Sequence, residues 1–148
     1  MRHLFTFLLT TMLMLGTSFA DTVTDLRPVI NEAAAANGVD PVLVEAIIRY
    51  ESAHATSHAA VKKNNLAGIM GRKGQRRYET KEVCVRVLAR ILGEYKAKGR
   101  VTVAQIGRVY CASGDPWASS VSANMNSIRK GKWGELVAEE KPEPQKKG

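Results

Sequence analysis

Apolar residues recur at helical spacing along most of the chain after residue 20, and this period constrains the fold more than any other feature. The periodic segments begin near residues 24, 40, 80, 102 and 115 and are bounded by residues that commonly start or end helices. The longest segment opens at Thr80 and closes at Gly99. The pattern predicts one compact, mostly α-helical domain of about five helices.

The stretch between residues 53 and 78 breaks this period, because Gly68, Gly71 and Gly74 interrupt it. We expect a long loop there, with a small hairpin or a short helix inside it. Loops of this length in small domains tend to carry function. The residues that flank this loop are therefore candidates for a functional site.

The helix predicted from Asp40 to Ser52 leads directly into that loop. Asp40 is a favourable N-cap, and Pro41 suits the first helical position, where its missing N–H costs nothing. Leu43, Ile47 and Glu51 then fall four residues apart, so they share one face of the helix. An acid that continues an apolar stripe in this way is unusual.

The two glutamates of this helix differ in their neighbours. Glu45 has Arg49 four residues later, which predicts a solvated surface ion pair. Glu51 has aliphatic residues one turn before it, no cation at either spacing, and the unfavourable end of the helix dipole. These surroundings favour the protonated form, which a general acid requires. The alternative is a helix-terminal residue that points to water.

The first 20 residues have the pattern of a secretory signal, with Arg2 at the start, an apolar run from Leu4 to Leu15 and small residues before a cleavage site after Ala20. This pattern predicts a periplasmic or secreted protein. The predicted folded domain occupies residues 21–133. Residues 134–148 are charged and poor in apolar residues, which predicts a disordered tail.

The formal net charge is +8 at pH 7, and the cations are clustered. Such clusters are common on solvated surfaces, but they also suit an acidic polymer as partner. Behind a secretory signal, an anionic cell-wall polymer is favoured over nucleic acid. We expect a monomer with no membrane span after cleavage and no cofactor.

The two cysteines, Cys84 and Cys111, suit one disulfide in an exported chain. Such a cross-link contributes roughly 3–4 kcal/mol in the chain-entropy interpretation. The alternative is a cysteine nucleophile, which lacks a histidine nearby in sequence. His54 and His58 lie four apart, but without helical periodicity or an evident third ligand they do not predict a metal site.

Four short motifs, in the same order, resemble the glucosaminidase branch of the lysozyme-like superfamily. The first closes the predicted helix with Tyr50-Glu51-Ser52, and the second is Asn64-Asn65-Leu66-Ala67-Gly68-Ile69. The third is Arg77-Tyr78-Glu79-Thr80 before the long helix, and the fourth runs from Tyr110 to Trp117. The resemblance covers about residues 29–128.

This resemblance implies an α+β lysozyme-like fold and cleavage of the β-1,4-linked glycan of peptidoglycan. It implies that Glu51 protonates the glycosidic oxygen, because an alkoxide is a poor leaving group. The substrate-binding candidates that accompany it are Ser52, Asn64, Asn65, Gly68, Ile69, Tyr110 and Trp117. Alternative roles are turn formation for the asparagines and core packing for the two aromatic residues.

The sequence does not identify the second catalytic group. Glu79 and Asp115 are candidates, although both also suit a helix start. Lytic transglycosylases of the same superfamily act with one glutamate and release an anhydro-sugar. Gly71 and the segment Tyr110-Cys111-Ala112-Ser113 depart from the motifs of that branch. Hydrolysis, transglycosylation and a non-catalytic wall-binding module all remain compatible with the sequence.

Overall fold

The computed structural model describes residues 21–111 and 115–134, of which about 65 % are helical. The described residues form seven helices and one two-stranded sheet: α1 Thr22–Asp25, α2 Arg27–Asn37, α3 Pro41–Glu51, α4 His58–Lys63, β1 Met70–Gly71, β2 Gly74–Gln75, α5 Lys81–Ala97, α6 Val103–Tyr110 and α7 Asp115–Arg129. The mostly helical prediction is confirmed. Three stretches lie outside the described residues: the predicted signal at 1–20, residues 112–114, and the predicted tail after Gly134.

The number of helices exceeds the prediction because α1 was not expected as a separate element, and the short helix α4 was expected only as an alternative to the hairpin. The first predicted helix is divided at Leu26, whose amide donates to the Val23 carbonyl at 3.1 Å and closes α1. Helix α4 lies in the predicted loop, where Ser57 caps it through the Ala60 amide. Both elements are one or two turns long, too short for apolar periodicity to reveal them.

The predicted caps are present where the sequence places them. The Asp40 carboxylate accepts from the Val42 amide at 2.8 Å, and Pro41 takes the first position of α3. Thr102 and Gln105 form the predicted reciprocal capping box of α6. These local interactions fix the starts of both helices without help from the rest of the fold.

Helix α3 lies at the centre of the domain. It packs against α1, α2, α5 and α7, and residues 42–49 are all buried. Helix α2 also packs on α5, and α6 on α7. An isolated surface helix exposes one face, whereas α3 is covered on all sides until its last turn. Its final residue, Glu51, is therefore held by the core at the point where the chain leaves it.

The predicted hairpin is present as β1 and β2, which pair antiparallel with Met70 opposite Gln75 and Gly71 opposite Gly74. No helix in the described part of the chain is long and apolar enough to cross a membrane.

Glu45 is not solvated, and the prediction that it is was wrong. Only 2 % of its side chain is exposed. Its carboxylate accepts from Arg27 Nε at 2.9 Å and lies 2.8 Å from Arg49 Nη2. Arg49 also lies 2.6 Å from Asp21 and 4.1 Å from the centre of the Trp133 ring. Arg49 is the partner that the spacing predicted for Glu45, but α1, α2 and the segment after α7 cover this ion pair.

The prediction of a Cys84–Cys111 disulfide is also wrong for this structure, since both residues are described and no bond joins them. Cys84 is fully buried in α5, and its Sγ accepts from the Leu66 amide at 3.3 Å. Burial raises the pKa of this thiol to about 11. Cys84 is therefore a protonated core residue, which also disfavours a nucleophilic role.

Candidate active site

Glu51 lies at the C-terminal end of α3 and is half-buried. Trp117, in the first turn of α7, donates its indole Nε1–H to Glu51 Oε1 at 2.7 Å. Burial raises the pKa of the Glu51 carboxyl, and the Trp117 hydrogen bond opposes this by stabilising the anion. The predicted desolvated acid is therefore present, and the indole of Trp117, 66 residues later in the chain, orients it.

Gly68 lies against the second oxygen of the same carboxyl group. A Cβ at this position would be 2.8 Å from Glu51 Oε2, closer than real Cβ contacts come. The backbone of Gly68 is left-handed, with φ of +63°. The left-handed conformation therefore favours glycine here, and a side chain at this position would displace the Glu51 carboxyl group.

Tyr110 connects the loop to the aromatic side of the site. Its hydroxyl donates to the Ala67 carbonyl at 2.5 Å, and its ring centre lies 5.2 Å from that of Trp117. Burial, followed by the negative charge of Glu51, raises the pKa of the phenol well above its usual value. Glu51, Gly68, Tyr110 and Trp117 thus form one closed set of contacts, here called the Glu51 cluster.

The turn that follows Glu51 has an unusual backbone. Ala53, His54 and Ala55 all have positive φ, between 47° and 68°. Non-glycine residues adopt this region singly and at a cost of about 1–2 kcal/mol each. The buried Ser52 hydroxyl holds the turn by donating to the Ile48 carbonyl and accepting from the Ala55 amide at 2.8 Å. Strain is thus concentrated directly beside the candidate acid.

His54 attaches this turn to the ion pairs of Glu45. Its Nδ1 lies 3.2 Å from Arg49 Nη1, and because a guanidinium only donates, this nitrogen is the acceptor. The His54 ring also lies 5.3 Å from the Trp133 ring. Burial, followed by the charge of Arg49, lowers the pKa of this imidazole. Sequence reasoning missed this connection, because no local pattern relates Trp133 to His54, which lies 79 positions earlier.

Asn64 and Asn65 organise the loop that carries Gly68. Asn64 is left-handed, with φ of +52°, and its amide donates to the carbonyls of Tyr78 and Glu79. Asn65 is fully buried, accepts from the Ile69 amide at 3.0 Å, and donates to the Ile69 and Arg76 carbonyls. Their turn-forming role, one of the two expected, is present in the structure.

Three predicted substrate-binding side chains are inaccessible in this arrangement. Ser52, Asn65 and Trp117 are each 0 % exposed, so a sugar would touch them only if the surrounding chain moved. Ile69 is partly buried and lies between Gly68 and the hairpin. Direct substrate contact by any of these residues stays a prediction, whereas their support of the Glu51 cluster is observed.

The two candidate second acids are not drawn into the cluster. Glu79 and Asp115 are exposed, and neither contributes to the pKa of Glu51, which burial and Trp117 set. The backbone carbonyl of Glu79 serves the Asn64 amide, and Asp115 is the first residue of α7. The structure therefore brings together one acid, not two, among the residues it describes.

The described residues contain no group of three or more His, Cys, Asp or Glu side chains that could hold a metal ion. Comparisons with protein-family models, curated proteins and solved structures find no match to this chain. The family resemblance therefore depends on the four short motifs.

Proposed function

We propose that the protein is an exported enzyme of the lysozyme-like kind, which cleaves the β-1,4-linked glycan of peptidoglycan with Glu51 as general acid. One observation carries the proposal: Glu51 is a half-buried acid whose pKa is raised by burial and whose carboxyl group is fixed by an indole N–H. Three other acids, Asp21, Glu32 and Glu82, have lowered pKa values instead.

The contacts of Glu51 indicate which oxygen bears the proton. The indole N–H only donates, so Oε1 acts as the acceptor and the acidic proton belongs on Oε2. Oε2 lies against Gly68, where a Cβ would come within 2.8 Å of it, so the absence of a side chain leaves room for this oxygen. The glycosidic oxygen then takes the proton from Oε2 as the C–O bond breaks.

The proposed primary reaction is hydrolysis of the N-acetylglucosaminidase type, in which water attacks the sugar carbon. Transglycosylation is the second candidate, because neither Glu79 nor Asp115 contributes to the electrostatics of Glu51. In that reaction the 6-hydroxyl of the sugar attacks the same carbon and returns its proton to the Glu51 carboxylate. The two reactions differ in the acids they need: hydrolysis commonly uses a second carboxylate, whereas transglycosylation proceeds with one glutamate.

The cellular site and partner follow from the sequence pattern of residues 1–20 and from the positive charge. We propose export to the periplasm or beyond, where a monomer with a net charge of +8 before processing meets anionic wall strands. Glycan hydrolysis and transglycosylation require no cofactor when a carboxyl group supplies the proton.

The test is a digest of purified peptidoglycan with the wild type and with Glu51→Gln, and Glu32→Gln serves as a matched control on an exposed acid. We expect soluble fragments from the wild type and the control, and none from Glu51→Gln. Mass spectrometry of the fragments reports reducing ends for hydrolysis and anhydro ends for transglycosylation. If the wild type binds peptidoglycan but releases nothing, the protein is a wall-binding module and the enzyme proposal fails.

A further inference from the structure

The segment after Glu51 carries charges of only one sign. From Ser52 to Tyr78 the sequence contains no aspartate or glutamate, so all 14 acids lie elsewhere. The same segment carries six cations: Lys62, Lys63, Arg72, Lys73, Arg76 and Arg77. A solvated surface usually mixes both signs, so an acid-free basic stretch this long indicates an anionic partner.

The structure holds these cations on one continuous unit. The Tyr78 amide donates to the Lys63 carbonyl at 2.8 Å, and the Arg77 guanidinium donates to the Lys62 carbonyl. Buried Asn65 joins both sides of the hairpin through the Ile69 and Arg76 carbonyls. Residues 69–77, with Lys62 and Lys63 at their base, are called the basic hairpin below.

No aspartate or glutamate in the described part of the chain forms an ion pair with the cations of the basic hairpin. The ion pairs among the described residues involve five other arginines: Arg27, Arg49, Arg86, Arg90 and Arg129. Five of the six hairpin cations are exposed, and Lys63 is half-exposed. Mutual repulsion of these groups makes the hairpin a favourable surface for an anion to neutralise.

The basic hairpin lies next to the Glu51 cluster. The Arg76 amide donates to the Ile69 carbonyl at 2.9 Å, and Ile69 directly follows Gly68, which touches the Glu51 carboxyl. At the other end, the Cα atom of Arg72 is within about 14 Å of that of Gly68, the reach of four extended residues. A polymer that presents a bond to Glu51 therefore passes within range of these cations.

We propose that the basic hairpin binds the carboxylates of the peptide stems on the same peptidoglycan strand that Glu51 cleaves. This inference rests on the proposed function for its choice of polymer. A strand with repeated carboxylates offers several charges to one rigid basic surface. Nucleic acid suits the basic hairpin less well, because its residues 69–77 contain no aromatic side chain on which a base could stack.

The test measures co-sedimentation of the full-length Glu51→Gln protein with insoluble peptidoglycan, so that cleavage does not remove the ligand. In that background, Arg72→Gln/Lys73→Gln removes two charges at the hairpin tip. Lys98→Gln/Lys130→Gln removes two exposed charges at the ends of α5 and α7, as a matched control. We expect about fivefold weaker binding at low salt for the hairpin variant, and less than twofold for the control.

A second arm tests the chemistry of the ligand with peptidoglycan whose carboxylates have been converted to methylamides. We expect this change to weaken binding of the hairpin-intact protein and to erase its difference from Arg72→Gln/Lys73→Gln. Equal losses in the hairpin and control variants would overturn the proposal. Undiminished binding to amidated peptidoglycan would do the same, as would hairpin dependence seen with duplex DNA but not with peptidoglycan.

These outcomes are separate from those that decide the proposed function. The binding arms use a protein that lacks the Glu51 carboxyl, so they report binding without cleavage. Cleavage by the Glu51-containing protein decides the enzyme proposal independently. Circular dichroism and thermal unfolding of each variant confirm that the exposed substitutions leave the fold intact.

Discussion

Helix α3 carries two glutamates six residues apart, and their surroundings are opposite. Glu45 is almost fully buried and shares its carboxylate between Arg27 and Arg49. Glu51 is less buried, accepts an indole N–H from Trp117, and has no cation partner among the described ion pairs. The more buried acid is thus part of the scaffold, and the less buried acid has the properties of a proton donor.

The comparison shows that burial alone does not decide what an acid does. Desolvation disfavours the charged form of any carboxyl group, but a neighbouring guanidinium stabilises that form and offsets the effect. At Glu51 the polar partner is an uncharged N–H, so burial dominates and the pKa rises. The two glutamates therefore differ in role because tertiary packing gives Glu45 charged guanidinium partners and gives Glu51 an uncharged N–H.

Replacement of Glu51 by Gln gives the largest expected effect on function. We expect a loss of peptidoglycan cleavage of about 10²–10⁴-fold, the usual contribution of a general acid. Product release is measured with the matched Glu32→Gln variant beside it. If Glu51→Gln cleaved peptidoglycan at the rate of the control, Glu51 would not be the proton donor, and its contrast with Glu45 would have no functional meaning.

Replacement of Glu45 by Gln gives the largest expected effect on stability. It leaves buried guanidinium groups without their shared carboxylate, a change that costs about 3–5 kcal/mol. The control is again Glu32→Gln, because Glu32 makes a two-point contact with Arg86 at the surface, where solvent screens the pair and it contributes little to stability. Denaturant unfolding checks this, and similar losses in both variants would show that burial adds nothing.

Substitution of Gly68 by Ala tests the space beside Oε2. The new Cβ would lie 2.8 Å from that oxygen, so we expect the carboxyl group to be displaced and activity to fall about 10–100-fold, as small misplacements do. Gly99→Ala is the control, because its φ of +77° brings similar backbone strain with no atom within 4 Å. An activity loss shared by Gly99→Ala would assign the effect to strain.

Trp117→Phe removes the orienting N–H and keeps a smaller aromatic ring in its place. The N–H lowers the pKa of Glu51, so its loss raises that pKa further. A general acid works below its pKa, and we expect the alkaline limb of the pH–activity profile to move to higher pH while the maximal rate falls about tenfold. Trp133→Phe changes a ring that contacts Arg49 and does not contribute to the pKa of Glu51, so it is expected to leave the profile in place. An unmoved profile in Trp117→Phe would mean that the indole N–H does not tune Glu51.

The smallest expected effect is the pH dependence of stability at Glu51. Because its folded pKa is raised, the folded state holds this proton more tightly, and stability is lost as pH rises from the unfolded value of 4.5 through the folded one. Glu51→Gln is therefore expected to be more stable than the wild type above this window and equal to it below. Thermal unfolding at pH 4 and pH 8 measures the difference, and a destabilised Glu51→Gln at pH 8 would contradict it.

Local patterns predicted much of this domain because the responsible interactions are local. The caps at Asp40 and Thr102 and the apolar stripe of α5 depend on residues within one or two turns. The glycines after Asn65 predicted a break in helical structure, and the hairpin formed there. Helix α1 escaped prediction, and α4 was predicted only as an alternative to the hairpin, because each is too short to establish a period.

The sequence by itself determined a mostly helical domain, the helix that ends on Glu51, and the absence of a cation at helical spacing from that acid. Only the tertiary structure decided that α7 brings the Trp117 indole to Glu51 and that Gly68 leaves room for its second oxygen. It also buried Glu45 beneath α1 and α2, against the surface position that the spacing predicted. The physical reason is that these contacts join residues up to 66 positions apart, and a pattern within one helix contains no information about what packs over it.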